Sequence, residues 1–181
     1  MALEMKKLVD TFRVVVLVLA SVSAAVLLAS CQTATGFAER PELVGGSDRL
    51  PPFTAPAKGR GTIVSFLPFV GVPVNTADNI YKYIRENAPG QNVLLALRLD
   101  EPATYRVKTY IDAVGGSTTM TFVFIVEIYD VAGTRVHRFV GQETGPGASG
   151  DPWGGIDSGT DKGIGYRILS GVHSWLTRSG A

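Results

Sequence analysis

One cysteine and two histidines are all that this 181-residue chain holds of those residue types, and the shortage excludes several kinds of chemistry. A lone cysteine forms no intramolecular disulfide and no thiolate metal cage, whatever the redox state of its compartment. His137 and His173 belong to no H-x-x-x-H pattern, so a zinc centre has weak support. No G-x-S-x-G accompanies them, which leaves a serine hydrolase without its usual nucleophile turn. An excess of one charge is also missing: 17 basic and 16 acidic side chains give a formal net charge of +1. Without a basic cluster to neutralise phosphates, nucleic acid is not an expected partner. The phosphate loop ending in Gly-Lys-Ser/Thr is absent too. The run Gly145-Pro146-Gly147-Ala148-Ser149-Gly150 satisfies G-x-G-x-x-G, but it follows antiparallel strands and no later strand completes a βαβ unit around it. No cofactor and no catalytic residue is therefore expected.

What the chain does have is an uncharged apolar run, Val14 to Leu28, preceded by Lys6, Lys7 and Arg13 and followed by the small residues Ala29 and Ser30. A basic n-region, an apolar h-region and small residues at its end make an export signal, and Met5 begins a more usual opening for one than Met1. Val14 to Ser30 also lies at the short limit of the roughly 17–25 residues of a membrane span, so a bitopic anchor is the alternative. Leu28-Ala29-Ser30-Cys31 resembles the lipobox of bacterial lipoproteins. The resemblance implies that residues 1–30 are a signal peptide and that the Cys31 thiol carries a diacylglycerol thioether. The competing reading is a buried, inert thiol. Each buried CH₂ contributes about 0.8 kcal/mol, so two or more acyl chains hold a protein stably at a membrane. In that family an aspartate after the cysteine favours the inner membrane. Gln32 stands there instead, which implies the periplasmic face of the outer membrane, with the inner membrane as the alternative. Loss of residues 1–30 removes Lys6, Lys7 and Arg13 with Glu4 and Asp10, leaving acidic and basic side chains equal in number.

Residues 31–60 comprise Cys31 and a stretch rich in Pro, Gly and Ala without periodicity, which reads as a flexible tether with a reach of about 30 Å. From Gly61 the texture changes. "TIVSFLPF" is β-branched and aromatic and predicts a strand. Ala77, Ile80, Tyr81, Ile84 and Ala88 recur at helical spacing, with Asn75 or Thr76 as cap and Pro89-Gly90 as stop. In Asn92–Leu99, Val93, Leu95, Leu97 and Leu99 share one face of an expected strand. Tyr105, Val107, Thr109 and Ile111 alternate with polar neighbours, so that strand has one wet side. Gly115-Gly116 suits a tight turn that needs positive φ. The run Phe122 to Val126 is apolar on both faces, which predicts a strand in the middle of the sheet. Strands over 104–114, 117–130 and 134–144 form an antiparallel meander. A last helix follows, with Asp157, Ser158 or Thr160 as cap and Ile164, Ile168, Val172, Trp175 and Leu176 on one face. Gly163, Gly165 and Gly171 each cost it roughly 1 kcal/mol against alanine. Close backbone packing on the sheet offsets that, or the helix rearranges on a partner. The expected class is α/β of the α+β type. It is a two-layer sandwich over residues 61–178, with a mostly antiparallel sheet of about five strands covered by two helices, in the order β-α-β-β-β-β-α.

That order, with "YRVKTYI" at Tyr105–Ile111 and "VEIYDVAGTRV" at Val126–Val136, resembles a group of small envelope lipoproteins. They include the penicillin-binding-protein activators, curli-type secretion lipoproteins, transport-auxiliary lipoproteins and the similar N-terminal domain of TolB. The resemblance implies a non-catalytic domain that binds other envelope proteins, and it transfers no binding residue by position. The expected role is an adaptor or assembly factor of a cell-envelope complex. The rivals are a lipoprotein that binds a small hydrophobic or glycan ligand and, behind it, an envelope hydrolase built on His137 or His173. An apolar cavity favours the ligand reading, whereas a filled core beside an exposed apolar patch favours the adaptor. Trp153, in a glycine-rich loop, is either a partner-binding hot spot or a lid folded back on the core.

Overall fold

The computed structural model describes residues 49–180. The signal peptide, Cys31 and residues 31–48 of the expected tether lie outside the described residues. Among the described residues are five strands and two α-helices: β1 (Ile63–Phe66), α1 (Val74–Asn87), β2 (Leu94–Ala96), β3 (Tyr105–Gly115), β4 (Thr119–Tyr129), β5 (Arg135–Pro146) and α2 (Ser158–Ser179). The sheet order is β2-β1-β3-β4-β5. β1 pairs in parallel with both β2 and β3, and the meander β3-β4-β5 is antiparallel. This is the expected α+β architecture. β4 has a partner on each side, as its two-faced apolar pattern required, but β3 is the central strand.

Side-chain alternation assigns the two faces. Val107, Thr109 and Ile111 of β3 and Met120, Phe122, Phe124, Val126 and Ile128 of β4 are buried. They form one core with Ile80 and Ile84 of α1 and Ile164, Ile168, Leu169 and Val172 of α2. All of these side chains belong to the face on which both helices lie. The glycines of α2 answer to close packing: a methyl group on Gly171 would meet the Phe139 ring at 2.5 Å, and one on Gly165 would meet the Tyr83 ring at 2.9 Å.

Several local expectations change. α1 begins at Val74 behind Pro73, and neither Asn75 nor Thr76 caps it. Pro73 occupies the cap position and has no side-chain acceptor to offer, and Thr76 is buried within the first turn. α2 is capped by Asp157, whose carboxylate accepts the Thr160 amide at 2.7 Å and the Thr160 hydroxyl at 2.8 Å. These bonds hold the Asp157 carboxyl below its usual range. At the first hairpin only Gly115 takes a positive φ, +155°, and the Gly116 amide donates to the Thr119 carbonyl at 3.0 Å. The expected eight-residue strand at 92–99 is three residues long. After Ala96 the chain turns back toward β3, the Leu97 amide donating to the Glu101 carboxylate at 2.9 Å. Leu97 and Leu99 therefore leave the core face and are exposed.

The stretch before β1 also departs from a free tether. The Leu50 amide donates to Gly133, the Phe53 amide to Val131, and the Thr54 carbonyl accepts from Ala103. Arg49 bridges Thr134, and the Phe53 ring lies 4.3 Å from the Arg106 guanidinium. From Arg49 onward the chain is thus a strap on the domain, beside the amino-terminal ends of β3 and β5.

The Gly171→Ala variant is expected to lose about 1–2 kcal/mol of stability in urea unfolding, because overpacking against Phe139 outweighs the gain in helix propensity. An unchanged or raised stability would show that the glycine serves no packing purpose.

Candidate functional site

Beyond the carboxyl ends of β1 and β2 three segments converge: the β1–α1 connection, the first turns of α1, and the loop after β2. Strand order switches here, since β2 lies on one side of β1 and β3 on the other, both parallel to it, and such switch points leave a crevice. Here the crevice is an apolar groove of about 320 Å³. Its floor is Phe66 and Phe69 with Tyr81, and its walls are Val74 from α1 and Leu97 and Leu99 from the loop. Phe66 and Tyr81 sit ring against ring, centroids 6.4 Å apart. Burial raises the Tyr81 phenol, Arg85 opposing and Glu101 assisting, so it stays a neutral hydroxyl at physiological pH.

The walls are unusually open for large aliphatic residues: Val74 is 77% exposed, Leu97 62% and Leu99 51%. The core beneath is filled, with Val64, Ile80, Ile84 and Val107 at 0% exposure. The charged groups of the lining are Asp78 and Arg98. Arg98 is engaged by Asp100 through two contacts of 3.2 Å. The groove can take up apolar side chains and orient them by charge at its rim. Among the described residues no group of three His, Cys, Asp or Glu side chains is placed to hold a metal ion, and no helix is long and apolar enough to cross a membrane.

The residues singled out in the sequence are not brought together. His137 stacks on Trp175, centroids 5.6 Å apart at 11°, and Trp175 meets Tyr105 edge-on at 4.8 Å. Burial first, and Arg178 second, push the His137 imidazole below its ordinary value. His173 lies on α2, where its carbonyl accepts the Thr177 hydroxyl. The loop Gly145–Gly155 packs backbone on backbone: Gly147 lies against Gly116 and Thr119, and Gly155 against Pro146 and Gly147. Gly147 and Gly155 thus answer to close approach within the chain, whereas Gly150 answers to its positive φ of +89°. Trp153 rests on Phe122, ring centroids 5.3 Å apart, and belongs to the core's partly buried margin. That placement suits a lid and leaves part of the side chain open to contact.

No protein-family model matches this chain, and no curated protein matches it. Among solved structures the domain is similar to PelC dodecamers from Paraburkholderia phytofirmans. One, a point variant, shares 18% identity at a TM-score of 0.41, covering 65% of this chain and 90% of that one. A second crystal form shares 15% at 0.42, covering 65% and 91%. Lipoprotein GNA1162 from Neisseria meningitidis shares 9% at 0.36, covering 65% and 98%.

Sequence reasoning missed the groove because it assigned Leu97 and Leu99 to a strand face. The available signal was "FLPFVGVPV", Phe66 to Val74, in which large apolar residues alternate with Pro and Gly that forbid a regular element to bury them.

A second feature lies at the α1–α2 seam. Asp161 is only 4% exposed. One carboxylate oxygen accepts the Asn79 amide at 3.0 Å and the other, Oδ1, has no partner. Burial raises its pKa, Asn79 opposing and Asp157 assisting. The folded state then holds the proton more tightly than the unfolded one, so stability falls as pH rises through the window above the ordinary carboxylate value. Asp161→Asn should accordingly raise Tm more at pH 7 than at pH 4, and an equal change at both would contradict this. Trp153→Ala should cost about 2–3 kcal/mol in thermal unfolding as a half-buried aromatic is removed. A near-neutral result would return Trp153 to the surface as a contact residue.

Proposed function

We propose that this protein is a non-catalytic lipoprotein of the bacterial cell envelope. It is held at the periplasmic face of the outer membrane by lipid on Cys31 and acts as an adaptor or assembly factor. Its α+β domain engages an apolar segment of another envelope protein in the groove between α1 and the loop after β2. The observation that carries this reading is a filled core beside an exposed apolar groove. Apolar surface of that kind, rimmed by polar groups, marks interaction sites. The chain enters the domain at Arg49, beside the amino-terminal ends of β3 and β5, while the groove opens past the carboxyl ends of β1 and β2. The strap and the docking surface thus do not compete.

A second reading has its own support: three aromatic rings, Phe66, Phe69 and Tyr81, line the groove, which suits a small hydrophobic ligand. The openness of Val74, Leu97 and Leu99 favours a protein partner, since a ligand held between them keeps much of its surface in water.

Two measurements test the proposal. Cells fed labelled palmitate should label the wild-type chain and not Cys31→Ser, which should move from the membrane to the soluble fraction. A photo-crosslinking residue at Leu97 should join the chain to another envelope protein in living cells, and a Val74→Asp background should abolish that adduct while leaving Tm unchanged. Membrane retention of an unlabelled Cys31→Ser variant would defeat the anchor. A crosslinking pattern indifferent to Val74→Asp would defeat the docking surface.

A further inference from the structure

We infer that the crevice between α1 and α2 is a second binding site, which takes a neutral sugar ring through the free oxygen of Asp161. It stands apart from the apolar groove. α1 turns Val74, Asp78 and Tyr81 to the groove, and Asn79, Lys82, Tyr83 and Glu86 to this crevice, which α2 closes with Ser158, Asp161 and Lys162. Asp161 makes the crevice more than a gap between helices. Its side chain is buried, the Asn79 amide holds one carboxyl oxygen at 3.0 Å, and Oδ1 is left without a donor. A buried acceptor in that state has given up water for nothing, which is costly, and the cavity that Asp161 borders is where a donor can enter. Its volume of about 320 Å³ stands at the lower end of small-molecule pockets, roughly 300–1,000 Å³, and suits one ring rather than a polymer.

The balance of the lining narrows the ligand. Two ammonium groups, Lys82 and Lys162, face two carboxyl groups, Glu86 and Asp161, so no net charge selects an ion. Among the described residues no ion pair engages either lysine or Glu86. An anion drawn to the lysines meets the carboxyl groups, and a cation drawn to Asp161 meets the lysines. A hydroxyl suits both kinds of group: it donates to Asp161 Oδ1, and a neighbouring hydroxyl accepts from a lysine ammonium or from Ser158. A sugar carries such hydroxyls on adjacent carbons. The Tyr83 ring, half-buried against Gly165, gives the lining an aromatic surface on which the C–H face of the sugar can rest.

The test uses the full lipidated chain in phosphatidylcholine nanodiscs, with empty nanodiscs as the blank, and reads saturation transfer to the ligand by NMR. Three probes share one ring and differ in charge: glucose, glucosamine and glucuronate, at a mildly acid pH where glucosamine is a cation. Glycine stands for a zwitterion. Glucose is expected to bind saturably and at least about fivefold more tightly than each of the other three. In Asp161→Asn the side-chain oxygen keeps the Asn79 amide and an NH₂ replaces the free acceptor. That variant should weaken glucose by at least about fivefold without lowering Tm, and Lys82→Ala should weaken it as well, whereas Val74→Asp in the apolar groove should leave it unchanged. Absence of saturable glucose binding overturns the inference and leaves water as the donor to Oδ1. An affinity for glucosamine, glucuronate or glycine equal to that for glucose overturns the neutral ring. Glucose binding that is indifferent to Asp161→Asn, or that is lost in Val74→Asp, overturns the site.

Discussion

The seating of α2 on β5 depends on side chains that are missing. Gly171 accepts the Phe139 ring, Gly163 the Glu143 side chain, and Gly145 the Thr160 side chain. Each contact would be closed by a single methyl group, and together they let the helix lie flat against the strand. Only at that distance do Ile164, Ile168, Leu169 and Val172 reach the core face of the sheet. Gly165 then admits Tyr83 and the Ile80 carbonyl, which draws α1 in beside α2. The position of α1 sets one wall of the groove, so the groove inherits its shape from glycines on the other side of the domain.

The opposite face of the sheet solves a different problem. Glu127 is fully buried there, and a buried carboxylate is tolerated only when its oxygens are engaged. The Tyr129 hydroxyl donates to it at 2.7 Å, Arg135 at 2.7 Å, and Arg138 stands 3.6 Å away. Burial, with the Glu127 bond next, raises the Tyr129 phenol far above its usual value, so it remains the donor. The strap formed by residues from Arg49 crosses this end of the domain. The chain's entry point is thereby tied to the amino-terminal ends of β3 and β5, and the groove is left at the carboxyl ends of β1 and β2.

Much of this was legible in the residues. The alternation of Tyr105–Ile111, the two-faced run Phe122–Val126 and the periodic stripe on α2 each carry their own environment, because periodicity reports how many sides an element buries. Asp157 was readable as a cap from its place ahead of the apolar stripe. The lipobox-like Leu28-Ala29-Ser30-Cys31 is local chemistry that needs no tertiary structure to be recognised. Where two local rules compete, the pattern misleads. Leu97 and Leu99 continue the strand spacing of Val93 and Leu95, yet the chain must turn at once to reach β3, and the Glu101 carboxylate closes that turn.

The residues by themselves determined the class of fold and the meander with its faces, since each rests on neighbours a few positions apart; the export and anchoring signal is proposed from them alone. Tertiary structure alone decided that Trp153 lies on Phe122, that residues 49–57 are a strap, and that Phe69, Val74 and Leu97 meet around one groove. Those outcomes join residues distant in sequence, and contact between distant residues is set by which surfaces remain to be covered once the local elements have packed.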